Sequence, residues 1–280
     1  MISVVRGQKC IALEFFSFPG GERHVRVEPN RESTLSSSFL TIHAQLISPS
    51  DVLDLLLLND AIVREYPGVY RRLELPYLPY ARQDRVAVKG EPLSVKVFCD
   101  LINSCNFDRV TVWDVHSNVS KALLNPRTTR FVEQDELVMR TLPGGASTFE
   151  YLVAPDTGAA SKTKISSEKT GIPYLQAYKS RDLTTGKLSS PKLMGGVDLS
   201  GKRVLIVDDI ADGGYTFIQL GNHLREVYHA DSVYLYITHG IFSKGLEVFE
   251  GVLKGIYCPN VINQEVAKSF INDYYKVQNV

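Results

Sequence analysis

The chain has 280 residues, 44% of them apolar, with 31 basic and 31 acidic side chains. That length accommodates two ordinary domains with sizeable cores, and a zero formal net charge argues against a general nucleic-acid binder, which needs a basic surplus to displace counterions. Apolar runs such as residues 55–58 are too short to span a membrane. The N-terminus has no signal-peptide pattern, and four cysteines without a CxxC pair read as reduced, mostly buried thiols of a cytoplasmic protein.

In chain order the pattern predicts strand 39–47, helix 50–65, strand 69–76, helix 94–105, strand 109–114 and helix 133–141. It continues with strand 151–154, helix 158–170, strand 203–208, helix 215–228, strand 232–238 and helix 244–250. Such alternation predicts an α/β protein whose mostly parallel sheets are flanked by helices. It runs twice, so two domains are expected, 1–134 and 135–280, with a last helix able to pack back on the first. Ligands in such folds sit at the carboxyl ends of strands, so the loops that follow strands are where chemistry is sought.

The sharpest signal is Val207-Asp208-Asp209-Ile210-Ala211-Asp212-Gly213-Gly214-Tyr215-Thr216. A buried strand is expected to end in two carboxylates, followed by a glycine turn and a helix beginning near Thr216. Free N–H groups and the positive dipole end at a helix N-terminus suit an anion, and glycines let the backbone approach it closely. Asp208 and Asp209, as pure acceptors, suit a sugar diol. The pattern therefore predicts a ribose phosphate held by Asp208, Asp209, Asp212, Gly213, Gly214, Tyr215 and Thr216. The plain alternative is an ordinary strand–turn–helix with Asp212 as the N-cap.

Two other segments follow predicted strands. Tyr80-Ala81-Arg82-Gln83-Asp84-Arg85 suits a nucleotide, with Arg82 for phosphate oxygens and Gln83 for a base edge; a charged surface loop is the alternative. In Asp114-Val115-His116-Ser117, a neutral His116 beside a carboxylate can bind a divalent cation directly or through water, although a lone histidine is more often structural.

Together these segments resemble the ribose-phosphate pyrophosphokinases, also called phosphoribosyl pyrophosphate synthetases. The glycine turn alone is shared with type I phosphoribosyltransferases. Phe18-Pro19-Gly20-Gly21-Glu22, Pro155-Asp156-Thr157-Gly158 and Thr238-His239-Gly240 extend the likeness over roughly residues 14–250. The resemblance implies two phosphoribosyltransferase-type, Rossmann-like domains, the first binding ATP and the second ribose phosphate. It implies transfer of the β,γ-diphosphate of ATP, with Mg²⁺, to the anomeric hydroxyl of ribose 5-phosphate, releasing AMP. Glu22, Arg82, Gln83 and His116 would hold ATP, His116 and Asp156 would place Mg²⁺, and Lys179 and Arg181 would be catalytic.

The sequence departs from that family at the turn. The usual Asp-Thr-x-Gly-Thr becomes Asp212-Gly213-Gly214-Tyr215-Thr216, which removes a hydroxyl at Gly213 and adds a ring at Tyr215. This opens a second reading, ADP-ribose as acceptor, with Tyr215 stacking on the second nucleoside and a product that can rebuild NAD. Gly20 stands where the family has an acid, and Gly90 where a basic residue is common, which argues against phosphate activation, ADP inhibition and a hexamer. The expected assembly is a homodimer or higher homo-oligomer, without nucleic acid or membrane partners. A phosphoribosyltransferase lacking ATP chemistry and a non-catalytic regulator of a synthetase are the other function classes.

Overall fold

The computed structural model describes residues 1–28, 38–142, 148–178 and 192–270. The chain divides into two compact units, Met1–Val132 and Glu133–Val280.

The first unit contains β1 (Ile2–Arg6), β2 (Lys9–Ile11), β3 (Leu13–Ser17), β4 (Arg23–Val27), β5 (Phe39–Ala44), α1 (Pro49–Glu65), β6 (Tyr70–Glu74), α2 (Ser94–Ser104), β7 (Arg109–Trp113), α3 (Asn118–Leu123) and β8 (Thr129–Val132). Its six-stranded sheet has the order β2-β1-β5-β6-β7-β8, parallel from β5 to β8 and antiparallel at β1 and β2. Helix α1 forms because Leu55, Leu58 and Ile62 recur at helical spacing, and all three are fully buried. Its start is fixed by a capping box between Ser48 and Asp51, with Pro49 in the first turn. The β3–β4 hairpin forms a separate sheet. Arg23 joins it to α1 by gripping Asp54 with two hydrogen bonds, Nε–Oδ1 2.9 Å and Nη2–Oδ2 2.5 Å.

The second unit contains α4 (Gln134–Thr141), β9 (Tyr151–Ala154), α5 (Thr157–Thr170), β10 (Tyr174–Tyr178), β11 (Lys192–Leu193), β12 (Arg203–Ala211), α6 (Tyr215–Glu226), β13 (Ser232–Gly240), a 3₁₀ turn (Glu247–Phe249), β14 (Gly255–Tyr257), β15 (Asn260–Val261) and α7 (Gln264–Phe270). Its seven-stranded sheet runs β11-β10-β9-β12-β13-β14, with β15 also pairing with β13. Every pair is parallel except β10–β11. Val204 to Val207 are all fully buried, the mark of a central strand covered on both faces.

Each unit is thus a mostly parallel sheet flanked by helices, as the alternation predicts. The predicted helix 244–250 does not form; only the 3₁₀ turn is present, because Gly245 takes φ +73° and interrupts the helical path. Among the described residues no helix is long and apolar enough to cross a membrane. Cys99, Cys105 and Cys258 are buried and Cys10 is exposed, all unpaired.

Candidate functional site

In the first unit the nucleotide segment and the histidine segment leave the same end of the sheet, after the neighbouring parallel strands β6 and β7. The Trp113 amide donates to the Pro76 carbonyl at 3.0 Å, joining the two loops at their roots. Leu78 and Ala81 are buried and anchor the first loop. Tyr80 turns it with φ 63°, and its ring packs on Phe98. Arg82 and Gln83 follow, both exposed. Asp114 is buried at φ 38°, its amide donating to the Val132 carbonyl at 2.8 Å. That left-handed bend at the end of β7 leads to the exposed His116. Glu22 lies at the tip of the β3–β4 hairpin, where the Phe18 amide bonds to its carbonyl at 2.9 Å.

In the second unit Asp156 follows β9, and Asp208 and Asp209 belong to the adjacent strand β12. The acids stand inside β12, not at its end: the strand runs on to Ala211 because β13 continues beside it, pairing Ile210 with His239 and Ala211 with Gly240. Successive strand residues point to opposite faces. Asp209 is only 6% exposed and meets Lys162 of α5, whose Nζ lies 3.3 Å from Oδ2. Asp208 keeps an edge of its surface open while its carboxyl lies within the site, and its Oδ1 accepts the Asp209 amide at 2.9 Å. Burial first, then the Asp209 carboxylate, hold the Asp208 carboxyl well above the usual carboxylate range, and Asp156 pushes the same way.

Asp156 caps α5, its Oδ1 accepting the Ala159 amide at 3.0 Å. Among the described residues no group of three or more His, Cys, Asp or Glu side chains is placed to hold a metal. Mg²⁺ does not need such a cage; it keeps several waters and is held through one or two carboxylates plus phosphate oxygens. Asp156, after β9, and Asp208, in the neighbouring β12, are carboxylates of the kind a hydrated divalent cation takes.

The turn that follows β12 passes through Asp212 and Gly213 to Gly214. Gly214, not Asp212, is the N-cap of α6, and no side chain caps that helix. The Phe217 amide closes on the Gly214 carbonyl at 3.0 Å, which leaves the Tyr215 and Thr216 amides as the first-turn donors without an intrahelical acceptor. Gly214 has φ +79°, and a Cβ there would lie 2.6 Å from the Phe249 ring, so only glycine fits. Tyr215, the first residue of α6, is 70% exposed. Lys179 and Arg181 lie outside the described residues.

Lys162 is a participant that motif reading does not find. It stands six residues after Asp156 in a helix of small residues, on which Ala159, Thr163 and Ser166 form the buried face. A lysine bordering such a face is the available sequence signal, but its partner is 47 residues away.

Residues 148–263 match the phosphoribosyl transferase domain family model. The chain is 32% identical over 282 residues to the ribose-phosphate pyrophosphokinase of Pyrococcus abyssi, covering 97% of this chain and 91% of that one. It is 30% identical to that of Pyrococcus furiosus, covering 91% and 88%. Its fold matches the crystal structure of phosphoribosylpyrophosphate synthetase from Mycobacterium smegmatis with a TM-score of 0.73 at 21% identity, over 97% of this chain and 87% of that one. With relatives at this identity matched over most of both chains, the chain belongs to the ribose-phosphate pyrophosphokinase family.

Proposed function

We propose that the protein is an Mg-ATP-dependent pyrophosphokinase acting on a ribose 5-phosphate group. The anomeric oxygen bonds to the β-phosphorus of ATP, the bond between that phosphorus and the α,β-bridging oxygen breaks, AMP leaves, and the hydroxyl proton is released. The observation that carries this reading is the second unit's juxtaposition of acids and anion cup. Asp208 and Asp209 lie in β12 and Asp156 follows the neighbouring strand β9, and β12 then feeds a glycine turn into a helix whose N-cap is Gly214.

Diphosphate transfer needs in-line positioning and neutralisation of spreading negative charge. In this reading the 212–216 turn and Thr216 hold the 5-phosphate, and Asp208 and Asp209 set the ribose diol, with Lys162 holding Asp209 in place. Arg82, Gln83 and Glu22 hold ATP, and His116 and Asp156 would each offer a ligand to a hydrated Mg²⁺. Bound there, Mg²⁺ supplies charge neutralisation at the transferring phosphates. Lys179 and Arg181 supply cations over the transferring group. The first domain is the ATP domain, the second the acceptor domain, and the working assembly is a homodimer or higher homo-oligomer.

A second acceptor, ADP-ribose, is favoured by one observation: Tyr215 projects its ring into solvent beside the turn, 70% exposed, where it can stack on a second nucleoside. The test is to incubate the purified protein with Mg-ATP and either ribose 5-phosphate or ADP-ribose, measuring AMP and the sugar product by mass. AMP formed one-for-one with a sugar diphosphate is expected. No AMP with either acceptor would leave a non-catalytic relative, and a phosphoribosyltransferase would likewise release none.

A further inference from the structure

The turn from Asp208 to Thr216 carries three carboxylates and no lysine or arginine. Lys162, the cation that approaches it from α5, already faces Asp209. A phosphate seated at Gly213 and Gly214 thus has backbone N–H groups but no charge of opposite sign from the turn itself.

The loop after β13 supplies one. The amides of Ile241 and Phe242 both donate to the Ala211 carbonyl, at 2.8 and 3.1 Å, and the Gly245 amide closes back on the Phe242 carbonyl at 3.0 Å. Phe242 is fully buried at φ 45° and packs edge-on against Phe249, the ring that lies under Gly214. This loop is therefore fixed to the turn through both its backbone and its aromatic pair. Lys244 lies in it. A Cβ built on Gly213 would stand 3.6, 3.7 and 3.9 Å from Lys244 Cε, Cδ and Cγ. The lysine stem thus runs beside Gly213, within van der Waals reach of where a side chain there would begin, and the ammonium is one bond beyond Cε. Lys244 is exposed and, among the described residues, makes no hydrogen bond or ion pair.

Long cationic side chains rest their stems on apolar surface and leave the head free for a charged partner. A lysine acts toward phosphate as a point charge. We propose, resting on the reading of the 212–216 turn as the holder of the acceptor's 5-phosphate, that Lys244 is the cation of that cup. Its ammonium binds a non-bridging oxygen of the phosphate at C5 of the ribose, whether that phosphate is a monoester or part of a diphosphate bridge. A hydroxyl donor missing at Gly213 is thereby replaced by a charged donor from the next loop, whose stem runs beside Gly213.

Lys244→Met keeps the stem and removes the charge; Lys244→Arg keeps the charge. The wild type and both variants are titrated calorimetrically with ribose 5-phosphate and, separately, with ADP-ribose, in the presence of Mg²⁺ and a non-hydrolysable ATP analogue. For whichever acceptor the wild type binds, K244M is expected to bind about tenfold more weakly and K244R within about threefold of wild type. The K244M deficit should shrink as salt rises, and affinity for the ATP analogue should be unchanged. Equal acceptor binding by K244M and wild type would overturn the proposal, as would a wild type that binds neither phosphorylated sugar. AMP release by the same wild-type preparation reads the proposed function separately: turnover with unaltered K244M binding removes only the role of Lys244, and no turnover with any acceptor removes the function.

Discussion

Lys162 Nζ lies 3.3 Å from Asp209 Oδ2, and the two side chains are 22% and 9% exposed. The pair ties α5 to β12 and gives a counter-charge to an acid in the central strand of the second sheet. Breaking a buried pair from one side leaves an uncompensated charge, at about 3–5 kcal/mol, whereas removing both charges costs far less. Lys162→Met is therefore expected to destabilise the protein by about 3 kcal/mol in denaturant unfolding. The double variant K162M/D209N should recover much of that loss. Strictly additive losses would show that the contact carries no coupling.

Asp208 is held well above the usual carboxylate range by burial and by Asp209. A raised folded-state pKa means the native state binds its proton more tightly than the unfolded chain does. This acid's contribution is therefore favourable below the unfolded pKa and is lost as pH rises through the folded one. At neutral pH Asp208→Asn should raise the melting midpoint, by about 2–4 °C for a gain near 1 kcal/mol, while removing turnover. The gain should disappear in acid, where wild-type Asp208 is protonated. A loss of stability at neutral pH would contradict this.

Gly214 combines φ +79° with a Phe249 ring 2.6 Å from where a Cβ would stand. Gly214→Ala should cost about 2–4 kcal/mol from the left-handed backbone and the clash together. G214A combined with Phe249→Leu should regain only part of it, since the backbone penalty remains. A neutral G214A in thermal unfolding would show that the turn relaxes freely.

Tyr215 is 70% exposed at the first position of α6, so Tyr215→Ala should change stability by less than about 0.5 kcal/mol. If the ring stacks on a second nucleoside, the KM for ADP-ribose should rise about fivefold to tenfold, with that for ribose 5-phosphate unchanged. Equal effects on both acceptors, measured by AMP release, would remove the stacking role.

The parts of this molecule legible in its sequence are those governed by local physics. Leu55, Leu58 and Ile62 set α1, and Ser48 and Pro49 start it; the run Val204 to Val207 sets a central strand. The glycine turn announces itself because few other residues reach its backbone angles. What was not legible depends on partners distant in sequence. The strand after Asp208 continues because β13 happens to run alongside, which places the two acids within the sheet and not at its tip. Lys162 finds Asp209 only through the packing of α5 on that sheet. Residues 244–250 have helical composition, but Gly245 and the aromatic pair Phe242–Phe249 bend them under the turn. Strands β1 to β4 are short and mostly exposed or half-exposed, so their periodicity is too weak to stand out.

In the proposed reaction a diphosphate, not a single phosphate, leaves ATP for the anomeric oxygen. ATP labelled at the β-phosphorus, incubated with Mg²⁺, the protein and ribose 5-phosphate or ADP-ribose, tests it most directly. The label is expected to move to the sugar as part of a diphosphate, and the AMP released is expected to be unlabelled. Label retained in ADP would mean transfer of the γ-phosphoryl group alone, and label retained in ATP with both acceptors would mean no transfer at all; either result contradicts the account.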